Sequence, residues 1–280
     1  MTLDLDKAMK ELGSKGIKIP PQPKVLLDLR ELLANNDFGV RKLTRIILGD
    51  PGIAALLFKA AGSPVFHRGK KFSSLEQVVM VVGAKQTFNL VQAIALSSAV
   101  PGRRRKALDI FWARSQDVAQ LAATIAEDRV SVCNIFPDQA YLAGMFLECG
   151  VPILMQRFPD YCDALHLENS SCWPDLADED VRFDVDHCSI GYLVAKHWNL
   201  PDFVCAAIQY HHEMPSEELG ATSTLVAILQ LAIHFYQRVS GVENPLWPRI
   251  RVPVMAELGL HIDFEQEYFE EISERFLEGR

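Results

Sequence analysis

The sequence predicts an all-α protein, a multi-helix bundle with an N-terminal helical subdomain. Three observations carry this expectation. Apolar residues recur at three- and four-residue intervals along most of the chain, and alternating runs long enough for a sheet are hard to find. Serine and aspartate caps, several with a glutamine or glutamate three residues on, precede the apolar stripes. Hydrophobic residues make up 49% of the 280, enough to bury one large core or two smaller ones sharing an interface.

The segment Met1–Gly13 places Asp4, Asp6, Lys7, Lys10 and Glu11 among its apolar residues, without the apolar run of a secretory signal. Val25, Leu26, Leu29, Leu32 and Leu33 form a stripe opened by Pro20, Pro21 and Pro23, which suit the approach to a helix and not its interior. Leu43, Ile46 and Ile47 form the next. Asp50 is the expected N-cap of a third helix, with Pro51 at its first position, running through Ala54, Leu57 and Phe58 to a break at Gly62–Pro64. Ser73 or Ser74 caps a fourth, and Glu76 or Gln77 completes a capping box ahead of Val78, Val81 and Val82. The most apolar stretch, Val78–Val100, contains Lys85, Gln86, Asn89 and Gln92, so a buried helix is expected there and not a membrane span.

A second set of helices is expected over Leu108–Ile125, Gln139–Met155, Cys188–Trp198, Asp202–His211 and Leu225–Val239. Asn169–Asp186, rich in Ser, Asp and Pro, is expected to be a loop. The final helix would take Asp263 as N-cap and Gln266 at the box position, dock through Phe269, Ile272 and Phe276, and stop at Gly279. Its acids, Glu265, Glu267, Glu270, Glu271, Glu274 and Glu278, are expected to form a solvated face.

Six cysteines without a two-residue pair match neither a zinc ribbon nor a redox motif, and are expected to be reduced thiols in a cytosol. A formal charge of −8 argues against general nucleic-acid binding. The local exception, Arg103, Arg104, Arg105 and Lys106 after Pro101-Gly102, is expected to be a solvated turn. It is also the natural contact for an anionic ligand or a partner. No phosphate loop, nucleophile elbow or dinucleotide fingerprint is present.

The ordered motifs carry a family resemblance. Ile19–Val25 (IPPQPKV), Asp50-Pro51, Ser73–Gln77 (SSLEQ), Val82-Gly83, Phe111-Trp112, Asp186-His187, Gly191, Trp198, Leu200-Pro201 and Tyr210-His211-His212 fall in the order of the elements of HDOD domains. The chain resembles that family over about Ile19–Glu213, with Gly62-Ser63 departing from the family's usual Asn-Ser. The resemblance implies an HD-like bundle in three parts: an N-terminal helical extension over 1–18, an HDOD domain over 19–213 and a C-terminal helical extension over 214–280 packed on the HD-like half. The HDOD domain itself would divide into an N-terminal half over 19–105 and the HD-like half over 106–213.

HD hydrolases hold a metal with a His, a His-Asp doublet and a distant Asp, and the resemblance places each at a definite position. Arg114 stands where the first His belongs, Leu147-Glu148-Cys149-Gly150-Val151 where the doublet belongs, and Ile233 where the last Asp belongs. A cation and a hydrocarbon at two of these places oppose a divalent ion. His187, His211 and His212 remain. They are expected to be packed, backbone-bonded histidines, the alternative being a soft, zinc-like site completed by Glu148 and Cys149. The His211-His212-Glu213 run is similar to that of HD-GYP phosphodiesterases, but Met214-Pro215-Ser216 follows it. The resemblance implies a regulatory module with no catalytic residues, no cofactor and no bound metal, acting on signalling proteins in trans or on a small anionic ligand. The alternatives are a divergent metal-dependent phosphohydrolase of nucleotides or phosphate esters, and a sensor using a pocket lined by His187, His211, Arg114 and Glu148.

Overall fold

The computed structural model describes residues 5–35, 39–67, 72–100, 104–216 and 219–278, and among them no strand occurs. The amino-terminal set comprises α1 (Leu5–Ser14), α2 (Lys24–Ala34), α3 (Val40–Leu48), α4 (Pro51–Ala61), α5 (Pro64–His67), α6 (Leu75–Val82) and α7 (Ala84–Ala99). Its starts follow the caps. Asp50 Oδ1 accepts the Ile53 N–H at 3.1 Å, and Ser74 Oγ accepts that of Gln77 at 3.2 Å, while Gln77 Oε1 accepts the Ser73 N–H.

The apolar stretch from Val78 is not one helix. Gly83 adopts φ +96°, and α6 and α7 meet there at 117°. The polar residues of α7 find partners across the fold: Asn89 donates to Asp138 Oδ2 at 2.7 Å, and Gln92 to the Trp198 carbonyl at 2.9 Å. Trp198 joins the halves, since its indole N–H donates to the Pro20 carbonyl and Arg30 donates to its own carbonyl. Among the described residues no single helix is long and apolar enough to cross a membrane, and only the bent α6–α7 pair passes on composition.

The second set is built on α8 (Arg105–Cys133), longer at both ends than expected, which packs against α9 (Pro137–Phe146). The expected helix over Gln139–Met155 is broken at Leu147–Cys149, and α10 (Gly150–Arg157) continues it. After α11 (Tyr161–Ala164), the stretch expected to be a loop contains α12 (Leu176–Phe183), started by Asp175 capping the Asp178 N–H. Then follow α13 (His187–His197), α14 (Asp202–Tyr210), α15 (Ala221–Val239), α16 (Trp247–Glu257) and α17 (Glu265–Glu278). Pro248 and Pro253 had disguised α16, the first tolerable in a helix's opening turn and the second interior.

The carboxy-terminal helix α17 lies on α8. Ile272 and Phe276 are buried, and Tyr268, which the apolar stripe had not included, is buried with them and donates to Asp128 Oδ2. Phe269 is half-buried, its ring 5.2 Å from that of Phe235. Two expectations change. Asp263 is no cap, because a 3₁₀ turn over Ile262–Phe264 precedes α17. Glu265 is not on a solvated face: its side chain is 12% exposed and accepts from Arg251 and the Trp247 indole. The other acids of α17 are exposed, and Gly279 lies outside the described residues.

Candidate functional site

Three elements bring the expected metal-ligand positions together. Arg114 comes from the middle of α8, Glu148 from the break between α9 and α10, and Ile233 from α15. Arg114 Nη2 lies 3.4 Å from Glu148 Oε2, and the two side chains are 4% and 7% exposed. Arg114 Nη1 donates to the Cys172 carbonyl at 2.9 Å, and the guanidinium lies 4.1 Å from the centre of the Trp173 ring. A guanidinium keeps its proton. Its charge is fixed beside the one carboxylate among these three positions, so a hard divalent ion held by them would meet a resident cation and lack the oxygen donors it needs. These residues do not fit a hydrolytic HD-type metal.

A second cluster stands at the start of α13. Asp186 caps the helix by accepting the Ser189 N–H at 2.7 Å, which sets His187 and Cys188 in its first turn. Glu179 of α12 is fully buried and holds His187 twice, accepting its backbone N–H at 3.0 Å and its Nδ1–H at 2.7 Å. The Tyr161 hydroxyl donates to the same carboxylate. The cluster depends on close backbone approach as well: a Cβ on Gly150 would fall 2.2 Å from the His187 carbonyl oxygen, so only glycine lets α10 pass α13 here.

From the end of α14, His211 donates Nδ1–H to the Ile208 carbonyl at 2.7 Å, which leaves Nε2 as the nitrogen with a free lone pair. Gln230 of α15 pins this turn by donating to the carbonyls of His211 and Glu213. The Nε2 atoms of His187 and His212 are 3.2 Å apart, and Cys188 Sγ is 3.7 Å from His211 Nδ1 and 4.0 Å from its Nε2. Burial opposes charge on His187, yet the adjoining Cys188 and the Glu179 carboxylate hold its pKa well above the ordinary histidine value. Burial and the neighbouring rings push His211 well below that value and His212 down to about 3.

Cys149 does not join this cluster. Its thiol points to the Gly191 carbonyl at 3.6 Å, and burial raises its pKa. A cavity of roughly 640 Å³ opens over both groups, lined among others by Glu148, Trp173, His211, His212 and Ile233. His187 and Arg114, expected in its lining, sit behind it instead. The basic run lies elsewhere. Arg103 is outside the described residues, while Arg104 donates to the Pro159 carbonyl and to Asp163, and Lys106 lies 3.9 Å from Glu168. Arg105 is exposed and opens α8, so the run is not simply a solvated loop.

With this arrangement established, the comparison with known families decides the assignment: the HDOD domain model matches residues 19–214. The chain belongs to the HDOD family. Among solved structures, this HDOD chain is similar to a protein of Shewanella amazonensis SB2B provisionally named a phosphohydrolase, with 20% identity, a TM-score of 0.69 and coverage of 98% of this chain and 96% of that one. It is also similar to a protein of Marinobacter aquaeolei VT8 provisionally named a signal transduction protein, with 22% identity, a TM-score of 0.64 and coverage of 99% and 60%. At such identities these likenesses show a shared fold. A curated protein of Treponema pallidum (strain Nichols), uncharacterised, is 24% identical over 225 residues. That match takes in 78% of this HDOD chain and 42% of the relative, so the chain spans under half of its length.

Sequence reasoning missed Glu179, Cys188, Gln230 and Trp173. Cys188 carried a signal, since it directly follows the Asp186-His187 motif. Glu179 carried none, because it lies in a stretch whose composition argues for a loop.

Proposed function

We propose that this HDOD chain is a non-catalytic regulatory module of bacterial signal transduction, working in the cytoplasm by binding partner proteins in trans or a small ligand. The observation that supports this reading is the buried Arg114–Glu148 pair, with Ile233 lining the same cavity as Glu148, at positions that the family resemblance aligns with the metal ligands of HD hydrolases. A water activated for attack on phosphorus needs a Lewis-acidic ion and a group to orient it. A guanidinium already paired with the local carboxylate supplies neither.

The cavity is the natural seat of a small ligand, and its lining favours one kind. Glu148, Asp175, Glu213 and Glu243 line it, and its described lining includes no lysine or arginine. Carboxylates repel an anion. The small-ligand reading therefore passes from an anionic molecule to an uncharged or cationic one.

A divergent phosphohydrolase is the second reading, favoured by the three neighbouring histidines. Hydrolysis assays on nucleotides, cyclic dinucleotides and phosphate esters, with magnesium, manganese or zinc, separate the two. The proposal expects no turnover above the blank. Turnover that Glu148→Ala or His211→Ala removes would overturn it.

A further inference from the structure

We propose that His187, Cys188, His211 and His212 form a closed, four-ligand zinc site beside the cavity. One ligand atom from each residue lies within 4.8 Å of every other. A tetrahedral zinc ion with Zn–N of about 2.0–2.1 Å and Zn–S of about 2.3 Å sets its ligands roughly 3.3 to 3.7 Å apart. The His187–His212 nitrogen pair at 3.2 Å has that spacing already, and Cys188 Sγ to His211 Nε2 at 4.0 Å needs to close by a few tenths of an ångström.

The surroundings match what zinc-bound histidines require. A ligating imidazole ordinarily gives its second N–H to a carboxylate or a backbone carbonyl, which fixes the ring and its tautomer. His187 gives Nδ1–H to Glu179, and His211 gives Nδ1–H to the Ile208 carbonyl. In both rings Nε2 is left to the cluster. Cys188 adds a soft sulfur donor in the amino-terminal turn of α13. On entry of the ion, the thiol proton and the proton shared between the His187 and His212 rings pass to solvent, and four protein bonds take their place.

The donor set discriminates between metals. Three imidazoles and a thiolate suit zinc and give nothing to magnesium or manganese, which take oxygen. With four protein ligands the ion has no open position for water, so the site is structural or sensory and not hydrolytic. His212 also lines the cavity, so the ion would fix part of its wall. The inference does not depend on the regulatory reading, because metal content and turnover are measured separately.

The test uses the full chain purified without chelator or a metal-affinity step. Elemental analysis is expected to give one zinc per chain, or stoichiometric rebinding of zinc alone after stripping. Saturating zinc about a hundredfold above its Kd raises the melting temperature by about 5 °C or more. Cobalt in place of zinc should show a thiolate-to-metal charge-transfer band that Cys188→Ser abolishes and Cys133→Ser leaves intact. His212→Ala, a change at a partly exposed position, should lower zinc affinity at least tenfold while the circular dichroism stays native. Sub-stoichiometric zinc without the cobalt–thiolate band would overturn the proposal, as would zinc binding unchanged in both Cys188→Ser and His212→Ala.

Discussion

The two groups beneath the cavity differ in what they could exchange with it. On one side Arg114 and Glu148 form a buried ion pair, and Ile233 shares a cavity lining with Glu148. On the other, His187, Cys188, His211 and His212 present titratable and soft donors within 4.8 Å of each other. The first group pairs a fixed cation with its carboxylate and offers a hard ion no free donor. On the proposed reading the second is the group that takes an ion. The difference teaches that soft donors can stand beside a pair that offers none, because the two groups come from different helices.

The largest expected effect comes from breaking the ion pair. Glu148→Ala leaves the Arg114 cation buried and unpaired, and should cost about 3–5 kcal/mol in urea unfolding. Arg114→Met with Glu148→Leu should recover most of that loss, since a buried pair is worth little over well-packed apolar groups. A double variant as unstable as the single would mean that the pair itself holds α8 to the α9–α10 break.

Gly150→Ala strikes the other side. A methyl 2.2 Å from the His187 carbonyl oxygen must push α10 from α13, and should cost about 1–3 kcal/mol by thermal melt while displacing His187. A melt unchanged from wild type would show that α10 moves aside freely.

A histidine outside the cavity sharpens the contrast. His234 is buried, stacks on Trp247 at 4.0 Å, and lies 3.4 Å from Glu265 without hydrogen-bond geometry. Burial pushes its pKa down to about 4 from the ordinary 6.5. The folded value is the lower one, so the unfolded chain takes the proton more readily. The stability contributed by neutral His234 is complete above about pH 6.5 and is lost as the pH falls from there through about 4. His234→Phe should flatten this part of the stability–pH curve, as read by denaturant midpoints across the range; an unaltered slope would assign the acid sensitivity elsewhere. Smallest of all, Asp186→Ala removes the cap of α13 and should cost about 1 kcal/mol, with zinc affinity falling as His187 and Cys188 lose their fixed first turn. Equal zinc affinity in this variant would show that Glu179 holds His187 in place without the cap.

Much of the helical order was legible because it rests on local rules. The caps at Asp50 and Ser74 and the apolar stripe of α2 depend on residues a turn apart. The bend at Gly83 was not legible, since an apolar stretch carries the same periodicity on both sides of a turn. Motif order singled out Arg114, Glu148 and Ile233, and the fold pairs the first two and sets the last two in one cavity lining, a geometry that motif order alone does not give. The choice between Cys149 and Cys188 was not legible. Both neighbour a motif, and only the packing of α10 against α13 turns the first toward the Gly191 carbonyl and the second toward His211. Glu265 misled for a similar reason: its helix is acidic throughout, and its burial depends on Arg251 and Trp247 of a helix disguised by proline.

The central claim, that Arg114 and Ile233 have closed the hard-ion centre of this HDOD chain, is tested most directly by titrating the metal-free protein with manganese and following the paramagnetic resonance of the free ion. The account predicts that the free-ion signal rises as it does in buffer, with no stoichiometric uptake, because a fixed guanidinium and one engaged carboxylate offer no oxygen cage. One tightly bound manganese per chain, lost in Glu148→Gln, would contradict it.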